Sequence, residues 1–160
     1  MRSLVLSHLD YCNGLLTLVS VAHLKWLQSL QNWAARIIFQ VNRRHDPIPL
    51  ITSLHWLPIC QRILFKILLL VYKVFINQSP AYITNCLQFH QSSQHNLRSN
   101  LDPFRLTYPR THNRAGDRTF TVFAAKEWNN IPISIKSASS VVERISSMVM
   151  VSFSYQICSC

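Results

Sequence analysis

Between residues 59 and 76 the chain is apolar almost all the way round a helix, broken by one narrow polar row. At about 100° per residue, Arg62, Lys66, Lys73 and Asn77 fall within a sector of about 60°, while Leu64, Ile67, Leu68, Val71 and Phe75 lie opposite. Pro58 suits the first helical position, where its missing N–H costs nothing, and no breaker follows before residue 77. The pattern predicts about 30 Å of helix over 58–77. Three other segments share the helical period. Residues 3–18 carry Leu6, Leu9, Leu15 and Leu16; residues 120–130 bring Phe120, Phe123, Ala124 and Trp128 to related faces before Pro132 stops them. Residues 21–41 repeat Leu24, Leu27, Ala34, Ile38 and Val41, with a second row at Trp26, Leu30, Trp33 and Ile37. That double stripe implies packing on two sides.

The connections are read from breakers. Residues 42–49, with Arg43, Arg44, His45 and two prolines, form a basic loop, and a short helical turn is expected over 50–57. Ser79 and Pro80 read as a cap and first helical residue of a short helix to about residue 90. Residues 91–100 are a polar loop, and 101–117 alternate around Pro103 and Pro109, which favours extended or irregular backbone. The end is serine-rich and then β-prone over 148–155. The expected fold is mainly α: a helical bundle over 1–90, a basic loop or extended segment over 91–118, a short helix and turn over 119–140, and a divergent, poorly ordered tail over 141–160.

Charge changes this picture more than composition does. Sixteen Lys and Arg face six Asp and Glu, a net charge of +10 with a pI near 9.9, and such a surplus favours polyanions. A basic surface without a partner is the alternative. With 14% charged residues and a mean hydropathy of +0.12, little is left to cover apolar surface, so some of it expects a neighbour. Five scattered cysteines without a secretory signal suggest reduced thiols in an intracellular protein of the cytoplasm or nucleus, not a secreted one. The apolar run 63–76 is too short to span a membrane and carries Lys66 and Lys73, so no membrane association is expected.

Several chemistries are disfavoured. Gly14 and Gly116 are the two glycines, too few for a phosphate-cradling loop or a dinucleotide fingerprint. The six acids, Asp10, Asp46, Asp102, Asp117, Glu127 and Glu143, form no cluster of the kind that holds divalent cations for phosphoryl chemistry. Cys86 and His90 are four apart, with His95 beyond, but no fourth ligand has an evident position; His8 and Cys12 repeat the spacing with less support. No Cys-His pair is singled out as catalytic.

The basic residues are more informative. Arg98, Arg105, Arg110, Arg114 and Arg118 recur through one irregular segment among Phe104, Tyr108 and His112, opposed there by Asp102 and Asp117. Guanidinium groups bind phosphates bidentately and aromatic faces stack on unpaired bases. A solvated arginine-rich loop is the alternative. Arg62, Lys66 and Lys73 read as snorkelling residues of a core helix or as phosphate contacts.

Taken in order, the blocks LSHLDYCNGLL (6–16), LQNWAARII (30–38), LHWLPICQRILFKILLLVYK (54–73), SPAYI (79–83), NLRSN (96–100), GDRTFTV (116–122) and EWNNIPISIK (127–136) resemble the C-terminal, post-palm region of reverse transcriptases from jockey-like non-long-terminal-repeat retrotransposons. The resemblance covers about residues 4–140. It implies that the first helices belong to a thumb gripping template and product, and that Arg43, Arg44, Arg62, Lys66, Lys73, Arg98, Arg105, Arg110, Arg114 and Arg118 are candidate contacts to RNA or DNA. It also implies that the fingers, palm and endonuclease lie outside this chain, with the Mg-binding aspartates of the parent RNA-directed DNA polymerase. The palm and fingers then become partners. The Phe/Tyr-x-Asp-Asp signature is absent here, so no catalytic residue or cofactor is assigned.

Two departures stand out. Trp33 replaces a usually small residue, which is expected to disturb close helix packing. Beyond residue 140 the family's basic helix gives way to VVERISSMVMVSFSYQICSC, which reads as a decayed or frame-shifted terminus and an aggregation-prone segment. The leading expectation is a non-catalytic reverse transcriptase fragment with non-specific nucleic-acid binding. A basic helical module that docks on a protein, and a translated relic without function, are the alternatives.

Overall fold

The structure is a computed structural model and describes residues 7–90 and 102–137. Expectations for residues 1–6, for the loop with Arg98 and His95, and for the tail beyond 137 lie outside the described residues. The described chain is mainly helical and divides into two compact units, the boundary falling between Leu64 and Phe65 inside the apolar helix Ile59–Phe75.

The first unit begins helical at residues 7–10, but the expected helix over 3–18 does not continue. Cys12 takes a left-handed conformation with φ 51°, and the chain tightens into a 3-10 helix at Asn13–Leu18. Asn13-Gly14 is the sequence signal for that break, since both residues are poor helix formers. Helix α1 follows at Val21–Ile38 and α2 at Pro47–Ser53. The expected loop over 42–49 therefore ends early, because Pro47 stands in the first turn of α2, where a missing N–H is harmless. Asp46 caps α2 by accepting from the Ile48 N–H at 3.1 Å.

The core between α1 and α2 is Ala35, Leu50, Ile51, Leu54 and Trp56, with Ala34, Ile38 and Val41 packed against it. Alanines at 34 and 35 allow this close approach. Two glutamines of α1 fix the following corner. Gln31, fully buried, donates to the Leu57 carbonyl at 2.9 Å, and the Gln28 side-chain oxygen accepts from the Ile59 N–H at 2.9 Å. That N–H opens α3 (Ile59–Phe75) and has no intrahelical partner, so Gln28 acts as its cap from another helix. His55, at φ 54°, makes the reversal that turns Trp56 inward, and the Trp56 N–H bonds back to the Ile51 carbonyl at 3.0 Å. Along α3, Ile67, Leu68 and Val71 are buried and Lys66 and Lys73 exposed, as the pattern predicts, whereas Leu64 and Phe75 are only partly covered and the neighbouring Ile63 and Val74 are buried instead.

The second unit holds the rest of α3, then α4 (Ala81–Thr84), β1 (Gln88–Phe89), β2 (Leu106–Thr107), α5 (Arg114–Asp117), α6 (Phe120–Asn130) and α7 (Ile133–Lys136). The helix expected to reach residue 90 stops at Thr84. The chain instead enters an antiparallel ladder, pairing Gln88 with Thr107 and Phe89 with Leu106. A side chain supplies the other edge. Asn129 of α6 accepts from the Leu106 N–H at 3.0 Å and donates to its carbonyl at 2.8 Å, as a third strand would. Trp128, beside it, is buried, stacks on Phe75 with ring centres 5.0 Å apart, and donates its indole N–H to the Phe104 carbonyl at 2.8 Å. Phe89 and Phe104 meet Phe75 edge-on at 5.2 and 5.8 Å.

Candidate nucleic-acid interface

The aspartates decide which cations remain for a partner. Asp10 pairs with the Arg62 guanidinium, whose Nε also donates to the Leu57 carbonyl at 3.0 Å. Asp46 is spent on capping α2. Asp102 accepts from Lys136 Nζ at 2.6 Å, and Asp117 from Lys126 Nζ at 2.8 Å and from the Thr111 hydroxyl. The Lys126 bond and then the Thr111 bond hold the Asp117 carboxyl below its ordinary value, and Lys126 is raised in return, chiefly by the bond to Asp117. Each described aspartate is thus engaged, three of them with a cation.

The basic residues divide accordingly. Arg62 is committed to Asp10 and has a side chain only 12% exposed, which removes it from the outward stripe that helical geometry alone assigned to it. Arg118 is half-buried and makes contacts of its own. The Arg43 guanidinium lies 4.9 Å over the Trp33 ring. Arg44, Lys66, Lys73, Arg105, Arg110 and Arg114 are exposed and make no ion pair among the described residues. Arg98 lies outside them.

Arg105, Arg110 and Arg114 have the most defined setting. Lys126 of α6 touches both ends of the intervening loop: its ammonium sits 5.8 Å from the Tyr108 ring and bonds Asp117. The chain leaves and returns to one amine, carrying Arg110 and Arg114 outward between these anchors. Asn113 caps α5 through the Gly116 N–H at 2.7 Å. Gly116 is required there, because a Cβ would stand 2.9 Å from the Asn113 oxygen and 3.1 Å from the Thr111 methyl. Tyr108 and His112 are exposed in the same segment as these arginines, whereas Phe104 is half-buried in the aromatic cluster. Outward guanidinium groups next to an accessible ring suit phosphates and unpaired bases.

Sequence reasoning passed over Lys126 and Lys136, the cations that neutralise Asp117 and Asp102. No local signal marks them, since each partner comes from a different element. Glu127 is partly buried, and that burial raises its carboxyl above the ordinary value. Cys86 does not share a helical turn with His90, because α4 has already ended; its thiol donates to the Tyr82 carbonyl at 3.2 Å. Among the described residues, no three His, Cys, Asp or Glu side chains converge to hold a metal, and no helix is long and apolar enough to cross a membrane.

Trp33 does not disturb the α1–α2 contact. It sits on the outer row of α1, 40% exposed, away from the buried Ala35. Comparison with known proteins finds no matching family model, curated protein or solved structure.

Proposed function

We propose that the chain is the non-catalytic, post-palm part of a jockey-like retrotransposon reverse transcriptase, and that it binds single-stranded RNA or DNA without sequence preference through phosphate contacts. The observation that carries the binding is the commitment of every described aspartate, which leaves Arg105, Arg110 and Arg114 exposed in the segment that holds Tyr108, with no carboxylate paired to them among the described residues. Phosphates are the natural counter-charge for such a set.

What supports the origin is that the first three blocks carrying the resemblance meet one another. Asp10 of LDYCN pairs with Arg62 of the LHWLP block, and Gln31 of QNWAAR holds Leu57 of the same block. Arg36 of QNWAAR also donates to the His45 carbonyl at 3.0 Å, and Trp128 and Asn129 of EWNNIP hold Phe104 and Leu106, all three partners lying in stretches between the blocks. These residues are scaffold, so the binding role falls to exposed cations outside the blocks' packing positions. The test is anisotropy of a labelled single-stranded oligonucleotide with the full chain and with Arg105, Arg110 and Arg114 changed together to Ala. The triple variant binds weakly and melts normally; equal affinity would reject the assignment.

A further inference from the structure

Helix α1 presents a second apolar face that stays exposed, with Arg43 over Trp33 as the contact seen on it among the described residues. Trp26, Leu30, Trp33 and Ile37 are 66%, 47%, 40% and 59% exposed. Their steps of four, three and four residues form a seam of the a/d type, lying about 120° round the helix from the row that faces α2. The seam covers about 17 Å of helix. An exposed apolar row of this length on a protein of low charged fraction marks a contact surface.

Charge selects the occupant. Helix α1 holds no Asp or Glu; Lys25 and Arg36 lie along one flank of the seam, and Arg43 reaches over Trp33 at its end. A second copy in the antiparallel register that overlays Leu30 and Trp33 would set Lys25 beside Arg36 of the other helix, cation against cation. Nucleic acid fits less well, because Leu30 and Ile37 alternate with the tryptophans and have no ring to stack on a base. We infer that the seam docks an amphipathic helix of another protein that carries large aliphatic residues at heptad spacing and glutamate or aspartate along its flanks. This surface shares no residue with the Arg105, Arg110 and Arg114 set, so either reading can fail without the other.

The probe is a synthetic three-heptad helix with Leu at the a and d positions and Glu at e and g, without tryptophan, against a control with Lys at e and g. Trp26 and Trp33 are the exposed indoles and Trp56 and Trp128 the buried ones, so acrylamide quenching of the full chain reads the seam. The Glu helix shields the exposed pair and the Lys helix does not. Leu30→Ser with Ile37→Ser abolishes shielding while the chain still melts cooperatively, because neither side chain belongs to the buried core. Lys25→Glu, which spares the Arg36 bond to the His45 carbonyl, weakens the Glu helix by about threefold or more and strengthens the Lys helix. Equal binding of both helices, a doubled mass in peptide-free solution, or shielding by a single-stranded oligonucleotide alone would each overturn the inference.

Discussion

The indole N–H of Trp128 donates to the carbonyl of Phe104 across 24 positions of sequence, at 2.8 Å, inside the aromatic cluster of the second unit. Trp56, equally buried in the first unit, has an indole nitrogen with no hydrogen-bond partner among the described residues. Replacing each by Phe removes similar apolar area but only Trp128→Phe leaves a part-buried acceptor without its donor. The loss of stability in urea unfolding is expected to be about 1–3 kcal/mol greater for Trp128→Phe than for Trp56→Phe. Equal losses would mean the 2.8 Å bond contributes nothing.

Lys136 and Asp102 form an asymmetric pair, since the lysine side chain is fully buried and the aspartate keeps 15% of its exposure. Lys136 also lies 5.9 Å over the Trp128 ring. Asp102→Ala leaves a buried cation without a counter-charge and should cost about 3–5 kcal/mol in chemical unfolding. Lys136→Met costs less, because Asp102 stays in part exposed and keeps the Phe104 N–H at 2.9 Å. The reverse order would contradict the burial pattern.

Glu127 gives a pH signature of known sign. Burial raises its carboxyl, so at pH values between its unfolded and folded titrations the folded chain binds more protons than the unfolded one. Stability on this account is full below the unfolded value and falls as pH rises through the folded one. Glu127→Gln removes the fall. The variant should melt higher than the wild type at neutral pH and converge with it in acid, and a constant offset across pH would contradict the assignment.

The proposed origin predicts that the genomic sequence upstream of Met1 encodes palm-like blocks and a paired Asp-Asp, in frame or shifted. Reading all three frames checks this. Finding no such block in any of them would remove the support for a transposon source.

Periodicity carried the helices well where one side of each could be buried. The residue pattern places α6 at 120–130, as observed, and sets the start of α1 at residue 21. It could not show that Cys12 would turn left-handed, or that Pro47 would begin a helix rather than block one, because both depend on the local cap and turn. The helix expected to run to residue 90 was lost to pairing with Leu106, a partner distant in sequence. Among candidate contacts, Arg62 illustrates the same limit. Its helical position reads as outward, yet an acid 52 residues earlier pairs with it and covers it. The second row of α1 was legible as an apolar face, but only the structure shows that it remains exposed.

The most direct test of the central claim is a salt titration of the full chain on a labelled single-stranded oligonucleotide. The account predicts that log affinity falls linearly with log salt, by about 0.7 per phosphate contacted, and that changing Arg105, Arg110 and Arg114 to Ala reduces the slope by about two. Absence of binding at low salt, or affinity that does not change with salt, would contradict it.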